Sequence, residues 1–339
     1  MPQTPVVSPR VASLVPSGTE VLCFIGGRGL LVARSHACDF PAVLGDVPAV
    51  TFQALRRGQP PPGADPRPLA AIDRAVGELW SEAKPLFALD TARLIASRPD
   101  VILVQSLAGG RWIDAGALHA AADSLSPRPR IVELAPRGVE DMLDDVLRIG
   151  EAVGMQDAAR AAAVGLRERF ARAEDFVNPY EEGPRVVVLE WTDPPVVAGH
   201  WTAQLVERAG GRHVLNPTAP VPGSGMAVGP QQAQRLAGRS IRVTPEQIAA
   251  AAPDAVIVAP CGLSLAPAKF AARAVAREAW FASTPAARAG RVAVVDANAV
   301  FSRPSPRLGE AFEWLVGWLN DCPELIPPGF PWARLDVAE

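Results

Sequence analysis

The chain has 339 residues, 49% hydrophobic and 20% charged, with a net charge of −3 and a pI near 5.9. That length suits about two domains with substantial cores, and the mild acidity excludes a nucleic-acid footprint. No apolar run approaches the ~20 residues a membrane span needs.

The N-terminus MPQTPVVSPRVASL lacks a charged region followed by an apolar one, so a cytoplasmic location is expected. The four cysteines Cys23, Cys38, Cys261 and Cys322 have no scaffold spacing and would be reduced there.

Taken in order, Arg10–Gly27 reads as a strand, a Pro-containing loop, an apolar helix and a Gly-Gly stop. Leu30–Ala33 is the second strand and runs into SHACDFP. Ala49–Phe52 is a short extended piece, and the Pro/Gly-rich Gly58–Pro68 is a surface insertion. Helices are expected over Leu69–Leu79, Asp90–Ser97, Asp114–Leu125 and Val139–Val153, and strands over Val101–Gln105 and Arg130–Leu134. Asp157 is expected to cap a long helix, Ala158–Phe176.

The plan then repeats. Val186–Leu189 is a buried strand, Glu190–His200 an irregular loop, and Trp201–Ala209 an amphipathic helix stopped by Gly210-Gly211. LIASRPDVILVQS in the first half is echoed by IAAAAPDAVIVAP in the second. Asn216–Gly238 reads as a loop insertion, Thr244 as an N-cap with Pro245 at the first helical position, and Arg291–Asp296 as a strand. Leu308–Leu319 is the closing helix. Accordingly the expected fold is α/β, two Rossmann-like lobes joined by a single long backbone helix, with a ligand cleft between lobes. The expected boundaries are residues 1–155 for the first lobe, 156–177 for the connecting helix, 178–321 for the second lobe and 322–339 for a Pro-rich tail.

In open α/β sheets ligands collect at the carboxyl ends of strands. The loops there supply Ser17, His36, Cys38 and Trp112 from the first lobe, with Glu190, Trp191, His200, Trp201 and Arg307 from the second. Trp191 could stack on a flat ligand or plug its own core, and for Trp201, at a helix start, the core reading is the stronger. Arg307 suits an anionic ligand group or a carboxylate of the chain itself. His36, Cys38 and Cys261, with His200 and Glu190, would suit zinc or another borderline metal, although their spacing is no ligand signature. Cys38 beside His36 is the one pair suggestive of nucleophilic catalysis. There is no P-loop, GxGxxG, GxSxG or HExxH.

The ordered set SLVPSGTE, SHACDFP, PDVILV, EWTDPPVVAGHW, APCG and FSRPSPRL resembles the class III substrate-binding proteins. The nearest branch is the cobalamin- and iron-siderophore-binding one, with the helical-backbone metal receptor fold, and within it a signal-less cobalamin-binding-like subgroup. The resemblance implies a receptor for a small ligand such as cobalamin, another corrinoid or a metal chelate. The alternative is a cytosolic enzyme or metal-handling protein using the His/Cys/Glu cluster. Exported members dock a permease through one acidic residue on each lobe. Glu246 falls at that place in the second lobe and Ala92 in the first, so permease docking is not expected.

Overall fold

The computed structural model describes residues 8–54, 69–105, 112–222 and 234–335. The whole Gly58–Pro68 insertion, the centre of Asn216–Gly238 and the end of the tail lie outside them. The chain divides into two compact units. One comprises residues 1–59, 75–136 and 140–166; the other comprises 60–74, 137–139 and 167–339.

The elements up to the division are, in chain order, β1 (Val11–Ser13), α1 (Pro16–Phe24), β2 (Leu31–Arg34), β3 (Thr51–Gln53), α2 (Leu69–Ser81), β4 (Phe87–Leu89), α3 (Thr91–Ala96), β5 (Val101–Gln105), α4 (Ala115–Asp123), β6 (Arg130–Leu134), α5 (Val139–Ala152) and α6 (Gln156–Glu174). In the first unit β2, β1, β5 and β6 form, in that order, a wholly parallel sheet. All four strands therefore end on the same edge. Ala12, Leu14, Ile102 and Leu94 fill its core with Leu118 and Ala122 of α4. Side chains set the helix starts: Asp90 accepts from the Arg93 N–H and Asp114 from the Ala117 N–H. β3 and β4 make a separate antiparallel pair with Thr51 opposite Leu89.

The long helix α6 is unbroken from Gln156 to Glu174, and the division between the units falls within it. It starts two residues earlier than expected, so Asp157 lies in its first turn and not at its cap. There its charge still complements the helix dipole.

The second unit continues with β7 (Arg185–Thr192), β8 (Pro195–Val197), α7 (His200–Arg208), β9 (Arg212–His213), β10 (Ala219–Pro220), β11 (Arg235–Leu236), β12 (Ile241–Arg242), α8 (Pro245–Ala251), β13 (Ala255–Val258), α9 (Leu265–Ala276), α10 (Ala279–Ala282), α11 (Pro285–Arg288), β14 (Val292–Val295), α12 (Leu308–Leu319) and β15 (Trp332–Arg334). Its seven-stranded sheet runs β12-β8-β7-β13-β14-β15, with β9 paired to β7. Both faces are covered, which is why β7 and β13 read as continuous apolar runs. Val187, Val256, Val258 and Val294 are fully buried among Ala268, Ala272 and Phe281.

Three expectations change here. Glu190–Thr192 is not irregular: β7 continues through Trp191 and Thr192, turns at Asp193-Pro194 and returns as β8, antiparallel. A register shift between Leu189 and Trp191 lets the polar end of the strand keep pairing. The Asn216–Gly238 loop holds a short hairpin-like pair, β10 with β11. The tail is also structured, because β15 pairs antiparallel with β14 and covers what would be an open sheet edge.

Candidate functional site

In the first unit, the segment after β2 is organised by Arg34. Its guanidinium donates to the carbonyls of Leu44 (3.2 Å), Val47 (3.0 Å), Ser35 (3.2 Å) and Cys38 (3.1 Å). That fixes the path of SHACDFP and turns the His36 ring toward β3 and β4. Thr51 of β3 accepts from the His36 N–H at 3.0 Å, and its Oγ1 lies 2.7 Å from His36 Nδ1. The imidazole packs edge-to-face on Phe87 (centroids 4.8 Å apart, 88°), and Phe87 packs against Trp112 at 5.7 Å. The Phe87 N–H donates to the Trp112 carbonyl at 2.8 Å, tying the two aromatics to one backbone frame. Burial, and then the charge of Arg34, hold the His36 pKa below its usual value.

Ser17 is buried in the first turn of α1 and donates to Gln105 Oε1 at 3.3 Å, linking the ends of β1 and β5. Cys38 is 3% exposed, with Sγ 3.0 Å from Thr19 Oγ1. Ser17 and Cys38, expected at a ligand surface, are both buried against neighbouring side chains. Phe87 and Thr51 were not expected. They come from short strands whose pairing is non-local, so no spacing pointed to them.

The second unit places its candidates at the ends of β7, β13 and β14. The Glu190 carboxylate contacts the Ser240 hydroxyl. Burial raises its pKa and the Ser240 bond opposes that. Beside it the Cys261 N–H donates to the Glu190 carbonyl at 2.9 Å. Burial first, and the Glu190 charge second, push the Cys261 thiol up to about 11; Ser302 and Arg303 work against this. The Gly262 N–H donates to Ser302 Oγ at 3.1 Å, bringing in a residue the sequence did not single out.

Trp191 is partly exposed, its Nε1 donating to the Asp193 carbonyl at 3.1 Å. Trp201 differs: it is 5% exposed and its Nε1 donates to the Phe301 carbonyl at 2.8 Å. It is a core residue, which removes it from the ligand-facing set. His200 stacks on it at 5.6 Å and has a left-handed backbone, φ +50°. The preceding Gly199 is required there, because a Cβ would stand 2.4 Å from the Gly238 carbonyl oxygen. Arg307 sits half-buried at the start of α12, its N–H donating to Ser305 Oγ at 3.3 Å.

Among the described residues no group of three or more His, Cys, Asp or Glu side chains is arranged to hold a metal ion. Within the first unit, His36 and Cys38 do not turn to each other. Cys38 turns to Thr19, and His36 Nδ1 is taken by Thr51. Nor, among the described residues, is any helix long and apolar enough to cross a membrane.

Residues 11–299 match the family described as "Periplasmic binding protein". The chain belongs to the periplasmic binding protein family. Membership bears out the resemblance to class III binding proteins and the two-lobed α/β fold. No curated protein matches the chain.

Three solved structures are similar in fold. A periplasmic heme-binding protein from Pseudomonas aeruginosa is 19% identical, with TM-score 0.64, covering 93% of this chain and 94% of its own. The periplasmic heme-binding protein RhuT from Roseiflexus sp. RS-1 is 18% identical, with TM-score 0.63 and coverage of 93% and 99%. The periplasmic vitamin B12 binding protein BtuF of Vibrio cholerae is 16% identical, with TM-score 0.59 and coverage of 94% and 98%. These findings overturn the cytoplasmic expectation, since the family and all three structures are of periplasmic proteins.

Proposed function

We propose that this member of the family is a receptor for a planar, metal-bearing macrocycle of the heme or corrinoid class. The observation that carries the reading is that each unit presents a partly exposed aromatic surface beside a hydrogen-bonding group. In one it is Phe87 and Trp112 with His36; in the other it is Trp191 with Glu190. Aromatic faces give a flat ligand apolar contact, and the polar neighbours set its orientation. Heme and vitamin B12 are also the ligands named for the three similar structures.

Thiol catalysis is the weaker alternative. A Cys261 thiol held at about 11 is almost wholly protonated at neutral pH, and Cys38 is buried. Titrating the purified protein with hemin and with cyanocobalamin, followed by absorbance, tests the receptor reading. One of them is expected to bind saturably at one site, and Trp191→Ala to weaken that binding by about 1–3 kcal/mol while leaving the fold intact. No saturable binding of either, with no flat ligand co-purifying by mass spectrometry, sinks it.

Two-point docking on a permease is not part of this reading. Glu246 stands exposed at the second position of α8, whereas the second position of α3 is Ala92. The native protein is expected to form no stable complex with a B12- or heme-importing permease in a pull-down, and Ala92→Glu to strengthen any association. A stable complex with the unaltered protein would show the docking argument to be wrong.

A further inference from the structure

Ser35, Thr51 and His36 form a relay whose protons can be counted. Ser35 has no exposed surface and Thr51 is 4% exposed, so solvent does not enter the count. Ser35 Oγ lies 2.8 Å from Thr51 Oγ1, which lies 2.7 Å from His36 Nδ1. Two backbone donors join them: the His36 N–H reaches Thr51 Oγ1 at 3.0 Å and the Ala37 N–H reaches Ser35 Oγ at 3.3 Å.

A hydroxyl has one proton to give and two lone pairs to receive. If Ser35 donates to Thr51, then Thr51 has accepted twice, from Ser35 and from the His36 N–H, and donates its own proton to Nδ1. Every group is satisfied, and the ring proton must sit on Nε2. In the reverse assignment Nδ1–H donates to Thr51 and Thr51 donates to Ser35. The Ser35 proton then has no acceptor among the described residues, in a place water does not reach. A buried orphaned donor is the costly outcome, so the first assignment prevails.

We propose that His36 is a neutral hydrogen-bond donor through Nε2–H, recognising a carboxylate or amide oxygen on the ligand, and that it does not coordinate the ligand's metal. Nε2 has no hydrogen-bond partner among the described residues, and the ring is partly exposed. Coordination would need the bare lone pair on Nε2, which only the reverse assignment provides. Phe87, packed at 88° to the ring, restrains its rotation, so the donor direction is set before a ligand arrives. The geometry thus reverses the metal-ligand role that the sequence suggested for His36. The nature of the ligand rests on the receptor reading; the tautomer does not.

The test has two arms. Long-range proton–nitrogen correlation spectra of ligand-free protein labelled with 15N-histidine report the tautomer directly, and His36→Gln assigns the signals by their loss. A bare Nδ1 and a protonated Nε2 are expected at neutral pH, and Thr51→Val should mix the two tautomers. A protonated Nδ1, or a tautomer indifferent to Thr51→Val, overturns the proposal. In the second arm, hemin, with its carboxylates, and cyanocobalamin, with its amides, are titrated separately. His36→Ala should weaken the ligand that binds by about tenfold, the scale of one lost hydrogen bond, whereas His36→Gln, which keeps an N–H, should stay within about threefold. A heme absorption band that changes in His36→Ala as for a lost axial nitrogen ligand overturns the proposal. If neither compound binds, the receptor reading fails while the spectra still decide the tautomer.

Discussion

Replacing Trp314 by Ala is expected to cost about 3–5 kcal/mol of stability, the largest loss from any single truncation in the second unit. Trp314 is fully buried on α12, at the centre of an aromatic stack. Its indole lies parallel to Trp318 (5.5 Å, 8°) and to Phe330 (5.3 Å, 12°), with Trp332 at 5.6 Å and Phe301 at 6.3 Å. Phe330 and Trp332 belong to the tail. Removing Trp314 therefore empties the core and also loosens β15 from the edge of the sheet. Trp314→Phe should cost much less. It keeps a ring in the stack and removes the indole Nε1–H, which is buried with no acceptor among the described residues, a group that costs about 1–3 kcal/mol to leave unsatisfied. Urea unfolding followed by far-ultraviolet circular dichroism measures both. A Trp314→Ala loss below about 1 kcal/mol, or a Phe variant as damaged as the Ala one, contradicts the account.

Trp314 also shows where the sequence was readable. The closing helix and the apolar stripe of Leu308–Leu319 follow from 3.6-residue periodicity alone. The runs Val186–Leu189 and Ala255–Val258 announced buried parallel strands because both faces of each are covered. Thr244 was legible as a helix start, since a cap is a local hydrogen bond between residues three apart, and the helices placed from Asp90 and Asp114 begin at those residues' caps.

What depends on distant pairing was not legible. β15 could not be foreseen from Trp332–Arg334, because a three-residue strand is specified by its partner β14 and not by its own composition. The same holds for β8, whose return along β7 turned an apparently irregular loop into an ordered strand pair. At the candidate site the chemistry-bearing loops were found, but not the use of each side chain. The helix start at Trp201 pointed to a core role, and its burial with the Phe301 carbonyl as acceptor bears that out, whereas for Trp191 the letters alone left both roles open. Cys38 and His36 are two apart, yet the loop built around Arg34 turns one thiol inward to Thr19 and the imidazole toward Phe87.

The second unit should also carry a strong acid sensitivity centred on His213. This side chain is 1% exposed, and its Nδ1 lies 3.1 Å from the Asn216 carbonyl oxygen. A carbonyl only accepts, so Nδ1 carries the proton and Nε2 holds a bare lone pair. Nε2 is buried with no partner among the described residues. Adding a proton there creates a charge in a dry core, and burial accordingly pulls the pKa down to about 4 from 6.5. The sign follows from proton counting. Between pH 6.5 and about 4 the unfolded chain takes up a proton that the folded chain refuses, so stability rises with pH across that window. Its contribution is complete above about pH 6.5 and is lost as the pH falls to about 4, a change of about 3 kcal/mol for the 2.5-unit difference. Asp145 acts in the opposite direction. Burial lifts its pKa to about 7, above its value of 3.8, so the folded state gains stability as the pH falls through that range. The comparison must therefore be between the native protein and His213→Asn, in which the amide N–H can still reach the Asn216 carbonyl and no group titrates. Asp145 then cancels. From pH 7.5 to 4.5 the native protein is expected to lose about 2–3 kcal/mol more than the variant in urea unfolding. Equal losses in the two proteins would mean that His213 is protonated in the fold, with an acceptor for Nε2 that the described residues do not provide.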